Sequence, residues 1–143
     1  MDREQESGES LVFVYGTLRK DARGQVRSPL CRGWTFEGYG TVQAKLYDFG
    51  AYPGAVPSES AGDRVRGEVY RLPDTDETLQ LLDRYEGCGP EDQPPYEFER
   101  EVGEVSLEVG GTTAAWVYWY RPTPLGRRLE SGDYLERTEP RTR

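Results

Sequence analysis

Only one stretch of this 143-residue chain repeats its apolar residues at helical spacing. Leu79, Leu82 and Tyr85 recur at i, i+3 and i+6, with Leu81 widening the stripe, and the pattern predicts a helix from Pro73 to Tyr85. Asp74 stands where a side-chain cap belongs and Glu77 three residues further on, while Gly87 supplies the stop. Every other apolar segment reads as a strand. A single helix among several strands restricts the chain to an α+β domain built on a mixed sheet or barrel.

The strand segments differ in kind. Leu11-Val12-Phe13-Val14-Tyr15 is a continuous apolar run ending at Gly16, which suits a strand buried on both faces. Phe36 to Phe49 is strand-like, with breaks expected near Gly38 and Gly40, and Ala51 to Ala55 reads as a turn. Val65 to Leu72 alternates, placing Val65, Gly67 and Val69 on one face and Arg66, Glu68, Tyr70 and Leu72 on the other. Tyr96 to Val109 alternates again. Gly110-Gly111 signals a two-residue hairpin, and Thr112 to Tyr120 returns with Trp116, Tyr118 and Tyr120 on one face. Residues 20–33 and Cys88 to Pro95 read as loops. The expected domain spans 11–135, with flexible polar tails at 1–10 and 136–143.

Composition narrows the function. Leu, Val, Ile and Phe make up just under a fifth of the chain, with no Ile at all, so the ten Tyr and three Trp must supply much of the core. The net charge of −8 disfavours nucleic-acid binding and docking on anionic lipid. No apolar stretch approaches the roughly 20 residues of a membrane helix. Cys31 and Cys88 match neither a zinc spacing nor a disulfide framework, and no signal peptide is visible, so a reduced, cytoplasmic setting is expected. There is no His, which removes Ser-His-Asp triads, Cys-His pairs and imidazole bases. Asp74-Thr75-Asp76-Glu77 resembles the start of a calcium loop but lacks its later glycine and distal Glu.

Three features can carry chemistry. Tyr15-Gly16-Thr17-Leu18 places a glycine turn after a strand, where successive N–H groups can form an anion-binding nest; taken alone, it fits a plain strand-ending turn better. Glu86 lies at the negative end of the helix dipole, which disfavours a carboxylate, and burial in a cleft would raise its pKa further. Locally it fits a solvated residue before a capping glycine better. Tyr52, Tyr96, Tyr118 and Tyr120 can either line a pocket or fill a core short of aliphatics.

The ordered set of motifs resembles the γ-glutamylcyclotransferase superfamily, in its small γ-glutamylamine cyclotransferase and avirulence-induced-protein branch. The matching pieces begin with Val12-Phe13-Val14-Tyr15-Gly16-Thr17-Leu18-Arg19, Leu46-Tyr47-Asp48 and Tyr52-Pro53-Gly54-Ala55-Val56. Val65-Arg66-Gly67-Glu68-Val69-Tyr70 and Leu82-Asp83-Arg84-Tyr85-Glu86-Gly87 come next. Tyr96 with Arg100, Ala115-Trp116-Val117-Tyr118 and Ser131-Gly132-Asp133-Tyr134 complete the set.

The resemblance implies a small mixed β-barrel with one main helix, short flanking helices and a cavity at one end. It implies a reaction in which a γ-glutamyl amide closes on itself, the α-amine attacking the side-chain carbonyl to give 5-oxoproline and a free amine, without metal or cofactor. By the same resemblance Glu86 is the catalytic acid and base. The backbone of Tyr15, Gly16, Thr17 and Leu18 holds the glutamyl carboxylate or the developing oxyanion, and Tyr96 and Tyr118 lie beside the substrate. The acidic chain offers no obvious site for a strongly anionic leaving group, which favours a γ-glutamyl-amine or small γ-glutamyl amino acid over glutathione. A non-catalytic binding module of the same fold, or an enzyme that removes a γ-glutamyl group from one biosynthetic intermediate, would carry the same residues.

Overall fold

The computed structural model describes residues 10–19, 29–124 and 126–136. The described elements are β1 (Leu11–Val14), a 3₁₀ helix (Pro29–Cys31), β2 (Thr35–Asp48), β3 (Pro53–Pro57), β4 (Arg64–Arg71) and α1 (Thr75–Tyr85). After these come β5 (Phe98–Leu107), β6 (Thr112–Tyr120), β7 (Arg127–Leu129) and a second 3₁₀ helix (Tyr134–Glu136). Five strands close a ring: β1 is antiparallel to β4, β4 to β2, β2 to β5 and β5 to β6, and β6 returns to β1 in parallel. This is the mixed barrel with one main helix that the sequence predicts. Most of the expected tails, and the loop over residues 20–28, lie outside the described residues. At the tail edges, Ser10 accepts a hydrogen bond from the Leu72 N–H and Glu136 donates its own to Asp133 O.

Alternation along the strands builds two apolar layers. Leu11, Phe13 and Tyr15 join Val42, Val69, Val117 and Trp119 in one cluster. Val12 and Val14 face the other way and meet Leu79 and Leu82 of α1, with Tyr70, Phe98, Tyr118 and Tyr120. The first strand is therefore buried on both faces, as its unbroken apolar run requires. The aromatics do fill the space that scarce aliphatics leave.

Three strand expectations need correction. Gly38 and Gly40 do not break β2; Gly38 sits at a register shift against β4 and the strand runs on. At Gly40 a Cβ would stand 2.7 Å from Val105 Cγ1 and 2.8 Å from Ser106 O, so the glycine lets β5 approach and close the ring. Second, Ala51 to Ala55 is not all turn. The turn is tight, closed by Phe49 N–H to Tyr52 O at 3.0 Å, and β3 starts at Pro53, pairing with β2 and, at Ala55, with β6. Third, the last hairpin is wider than a two-residue turn, because the register closes at Ser106 opposite Thr112.

The helix is capped as expected: the Asp74 carboxylate accepts from the Glu77 N–H at 3.3 Å, and Gly87 ends it at φ +80°. Its buried face is narrower than the apolar stripe. Leu79 and Leu82 are buried, each worth roughly 2 kcal/mol of transfer free energy, whereas Leu81 is 40% exposed and Tyr85 50%. This leaves Tyr85 at the helix end beside Glu86, on the side where the cavity opens.

Candidate active site

A cavity of about 430 Å³ opens where the end of β1, the turn before β3, the end of α1 and the start of β5 meet. The loop Tyr15, Gly16, Thr17 and Leu18 forms one wall, and Leu82, Tyr85 and Glu86 form another. Tyr52, Glu97, Phe98 and Tyr118 line it as well. Among the described residues, no Lys or Arg lines it.

The loop is fixed at both ends. Tyr15 is buried; its phenol donates to the Tyr118 carbonyl at 2.7 Å and accepts from the Ala55 N–H at 3.1 Å. Burial, reinforced by the charge of Glu86, pushes this phenol far above its ordinary pKa, so it stays protonated. Gly16 is required by proximity, because a Cβ there would fall 2.6 Å from Pro53 Cγ and 2.9 Å from Cδ. Beyond Leu18, the buried Arg19 gives Nε to Glu68 Oε2 at 3.2 Å and Nη1 to Asp133 Oδ1 at 2.9 Å. Tyr70 adds a 2.6 Å donation to Glu68 Oε1. Three of the sequence motifs, distant in the chain, thus meet in one buried ionic cluster behind the loop.

Glu86 caps α1, its N–H bonded to Leu82 O at 2.8 Å. Its carboxyl is only partly exposed, and its pKa is raised from 4.5 to about 7. Burial is the main cause, followed by the carboxylates of Asp83 and Glu97. A group balanced near neutrality can both take and return a proton. Glu86 and the Tyr15 to Leu18 loop therefore line one cavity.

The tyrosines divide. Tyr118 lines the cavity, but its hydroxyl donates to Asp83 Oδ1 at 2.7 Å. Tyr96 is not among the lining residues; it precedes β5, and Phe98, the first residue of that strand, stands in the wall. Tyr52 lines the cavity and donates to Glu97 Oε2 at 2.7 Å, and that bond pushes its pKa up to about 12. Tyr120 packs on Phe49 with ring centroids 4.5 Å apart. Sequence reasoning passed over Glu97 and Tyr85 as site residues. Glu97 carries no local signal, and the helical spacing of Tyr85 points to the buried stripe rather than to the cavity. Cys88 follows the helix, and burial together with Asp83 pushes its thiol up to about 11, away from thiolate reactivity.

A closed mixed barrel in which a glycine loop and a protonatable Glu line one cavity defines a recognisable class. The chain belongs to the γ-glutamyl cyclotransferase, AIG2-like family, which it matches over residues 12–136. It is 33% identical over 130 residues to the γ-glutamylcyclotransferase family protein YtfP of Escherichia coli K12, covering 88% of this chain and 96% of that protein. It is 35% identical to a putative γ-glutamylcyclotransferase of Vibrio cholerae, covering 89% and 96%. The crystal structure of an AIG2-like protein from Mus musculus superposes with a TM-score of 0.60 at 26% identity, covering 79% of this chain and 80% of that one. Among the described residues no helix is long and apolar enough to cross a membrane.

Proposed function

We propose that the protein is a cyclotransferase that converts a γ-glutamyl amide to 5-oxoproline and a free amine. The substrate's α-amine attacks its own γ-carbonyl carbon. The Glu86 carboxylate takes a proton from the attacking nitrogen as the new C–N bond forms. It returns that proton to the departing nitrogen as the amide bond breaks, so no water is consumed and the carboxylate is restored. The supporting observation is the shared cavity: Glu86, with a pKa near 7, and the Tyr15 to Leu18 loop both line it.

The loop's part is to hold the glutamyl carboxylate or the oxyanion that develops on the carbonyl. Donors aimed at an oxyanion are worth roughly 3–4 kcal/mol. Folding the substrate so that its amine reaches its own carbonyl converts binding into positioning, worth several kcal/mol more.

The cavity wall supports a γ-glutamyl-amine as substrate in preference to glutathione. Among the described lining residues the carboxylates are Glu86 and Glu97 and there is no cation, so a leaving group bearing carboxylates would be repelled and unpaired by them. Cys31 and Cys88 are free thiols, which fits a reducing cytoplasm. The test is 5-oxoproline release from a panel of γ-glutamyl amides and glutathione, followed by mass spectrometry. The expected result is turnover of a γ-glutamyl-amine well above that of glutathione. Equal turnover would overturn the substrate preference, and no release from any amide would overturn the reaction.

A further inference from the structure

Asp83 lies one helical turn before Glu86, and three nitrogen and oxygen donors converge on it, with the Cys88 thiol 3.9 Å from Oδ1. Arg100 Nε stands 2.8 Å from Oδ1, Arg100 Nη2 3.0 Å from Oδ2, and Tyr118 Oη 2.7 Å from Oδ1. The Arg100 guanidinium lies 4.3 Å from the centre of the Trp116 ring, which fixes its plane. Arg100 and Tyr118 are cross-strand partners in β5 and β6. Two barrel strands therefore grip a single side chain at the end of α1. Tyr118 also reaches the opposite wall, since its carbonyl accepts from Tyr15 at the start of the glycine loop. Neither Asp83 nor Arg100 lines the cavity, so neither would touch substrate. An exposed ion pair could serve stability, but it would do little there; this one is part-buried, forked and tied to both sides of the site.

We propose that Asp83, Arg100 and Tyr118 form a positioning site that fixes Glu86 against the Tyr15 to Leu18 loop and sets a balanced pair of charges beside it. The charges that act on Glu86 are Asp83 on its own helix and Glu97 before β5; Arg100 on β5 bears on it through the ion pair with Asp83. The neighbouring phenols are Tyr15 and Tyr52, with Tyr85 and Tyr118 lining the same cavity, and Cys88 supplies a thiol. Asp83 disfavours ionisation of Glu86, and Arg100 offsets the charge of Asp83. The two members of one ion pair should therefore act on Glu86 in opposite directions. A purely structural pair would not do this.

The kinetic half of this inference rests on Glu86 being the proton-transfer group; the electrostatic half does not. The experiment follows the Glu86 carboxyl by ¹³C NMR across pH, its resonance assigned with Glu86→Gln, alongside 5-oxoproline release. Asp83→Asn should lower the Glu86 midpoint by roughly half a pH unit or more, and Arg100→Gln should raise it. Arg100→Lys, which keeps the charge, should return it towards wild type. Should Asp83→Asn not fold, the Arg100 pair carries the test alone. Tyr118→Phe, which keeps both charges, should leave the midpoint near its wild-type value and reduce kcat about tenfold or more with little change in KM. Midpoints that stay fixed, or that move the same way in Asp83→Asn and Arg100→Gln, overturn the proposal. A wild type that releases no 5-oxoproline overturns the assigned reaction, and the midpoints still decide the positioning site.

Discussion

Tyr15 and Tyr118 are joined by a 2.7 Å hydrogen bond from phenol to backbone carbonyl, at the point where β1 runs out and β6 passes beside it. The same phenol accepts from Ala55 on β3, so one buried side chain ties three strands where the barrel meets the cavity. Tyr15→Phe keeps the ring and deletes both bonds, leaving a buried N–H and a buried carbonyl short of a partner. The expected loss is about 1–3 kcal/mol, read as a lower urea midpoint with unchanged slope. A variant as stable as the wild type would show that these bonds are replaced by water.

Gly16 answers to Pro53 rather than to an unusual backbone angle. Gly16→Ala forces a methyl group onto a rigid proline ring at 2.6 Å, and either the loop or β3 must shift. Turnover should fall on the order of a hundredfold, because a displacement of about 1 Å at the site carries that cost. Gly62→Ala is the control: its nearest neighbour would be Ser60 Oγ at 3.9 Å, and both stability and turnover should be unchanged.

Arg19 neutralises Glu68, which is fully buried, and Asp133, which is nearly so. Arg19→Met removes the cation and leaves both carboxylates without it. The expected cost is about 3–5 kcal/mol at pH 7, by urea denaturation. A loss well below this would contradict this account of the cluster.

Glu86 makes stability itself depend on pH. Its folded pKa, about 7, lies above its ordinary 4.5, so the folded state binds the proton more tightly. Its contribution is fully present below about pH 4.5 and is lost as pH rises towards 7 and beyond. Glu86→Gln cannot ionise and escapes that loss. Thermal denaturation should find the variant's advantage over wild type growing between pH 5 and pH 8, and a constant difference would contradict a raised Glu86.

How far the sequence foretold all this varies by element. β1 and α1 were readable because their signals are local: an unbroken apolar run, and a cap and stop at Asp74 and Gly87. β3 was not, since Pro53 and Gly54 have the residue preferences of a turn and become strand only by pairing with β2 and β6. The three-residue β7 is likewise defined by β2. In the site, Glu86 and the glycine loop lay within motifs, but nothing local in those motifs shows which group each tyrosine meets. Tyr96 and Phe98 share an alternation, yet the strand starts at Phe98, and that ring takes the place in the wall. Asp83 stood inside the same motif as Glu86; that it faces Arg100 and Tyr118 depends on how α1 lies across β5 and β6.

In the proposed reaction Glu86 moves the proton of an intramolecular cyclisation. The most direct measurement is 5-oxoproline release from a γ-glutamyl-amine by wild type and Glu86→Gln, both shown folded by circular dichroism. Release by the wild type, falling roughly 10²-fold or more in the variant, is the predicted result. Equal release by the two proteins would contradict it.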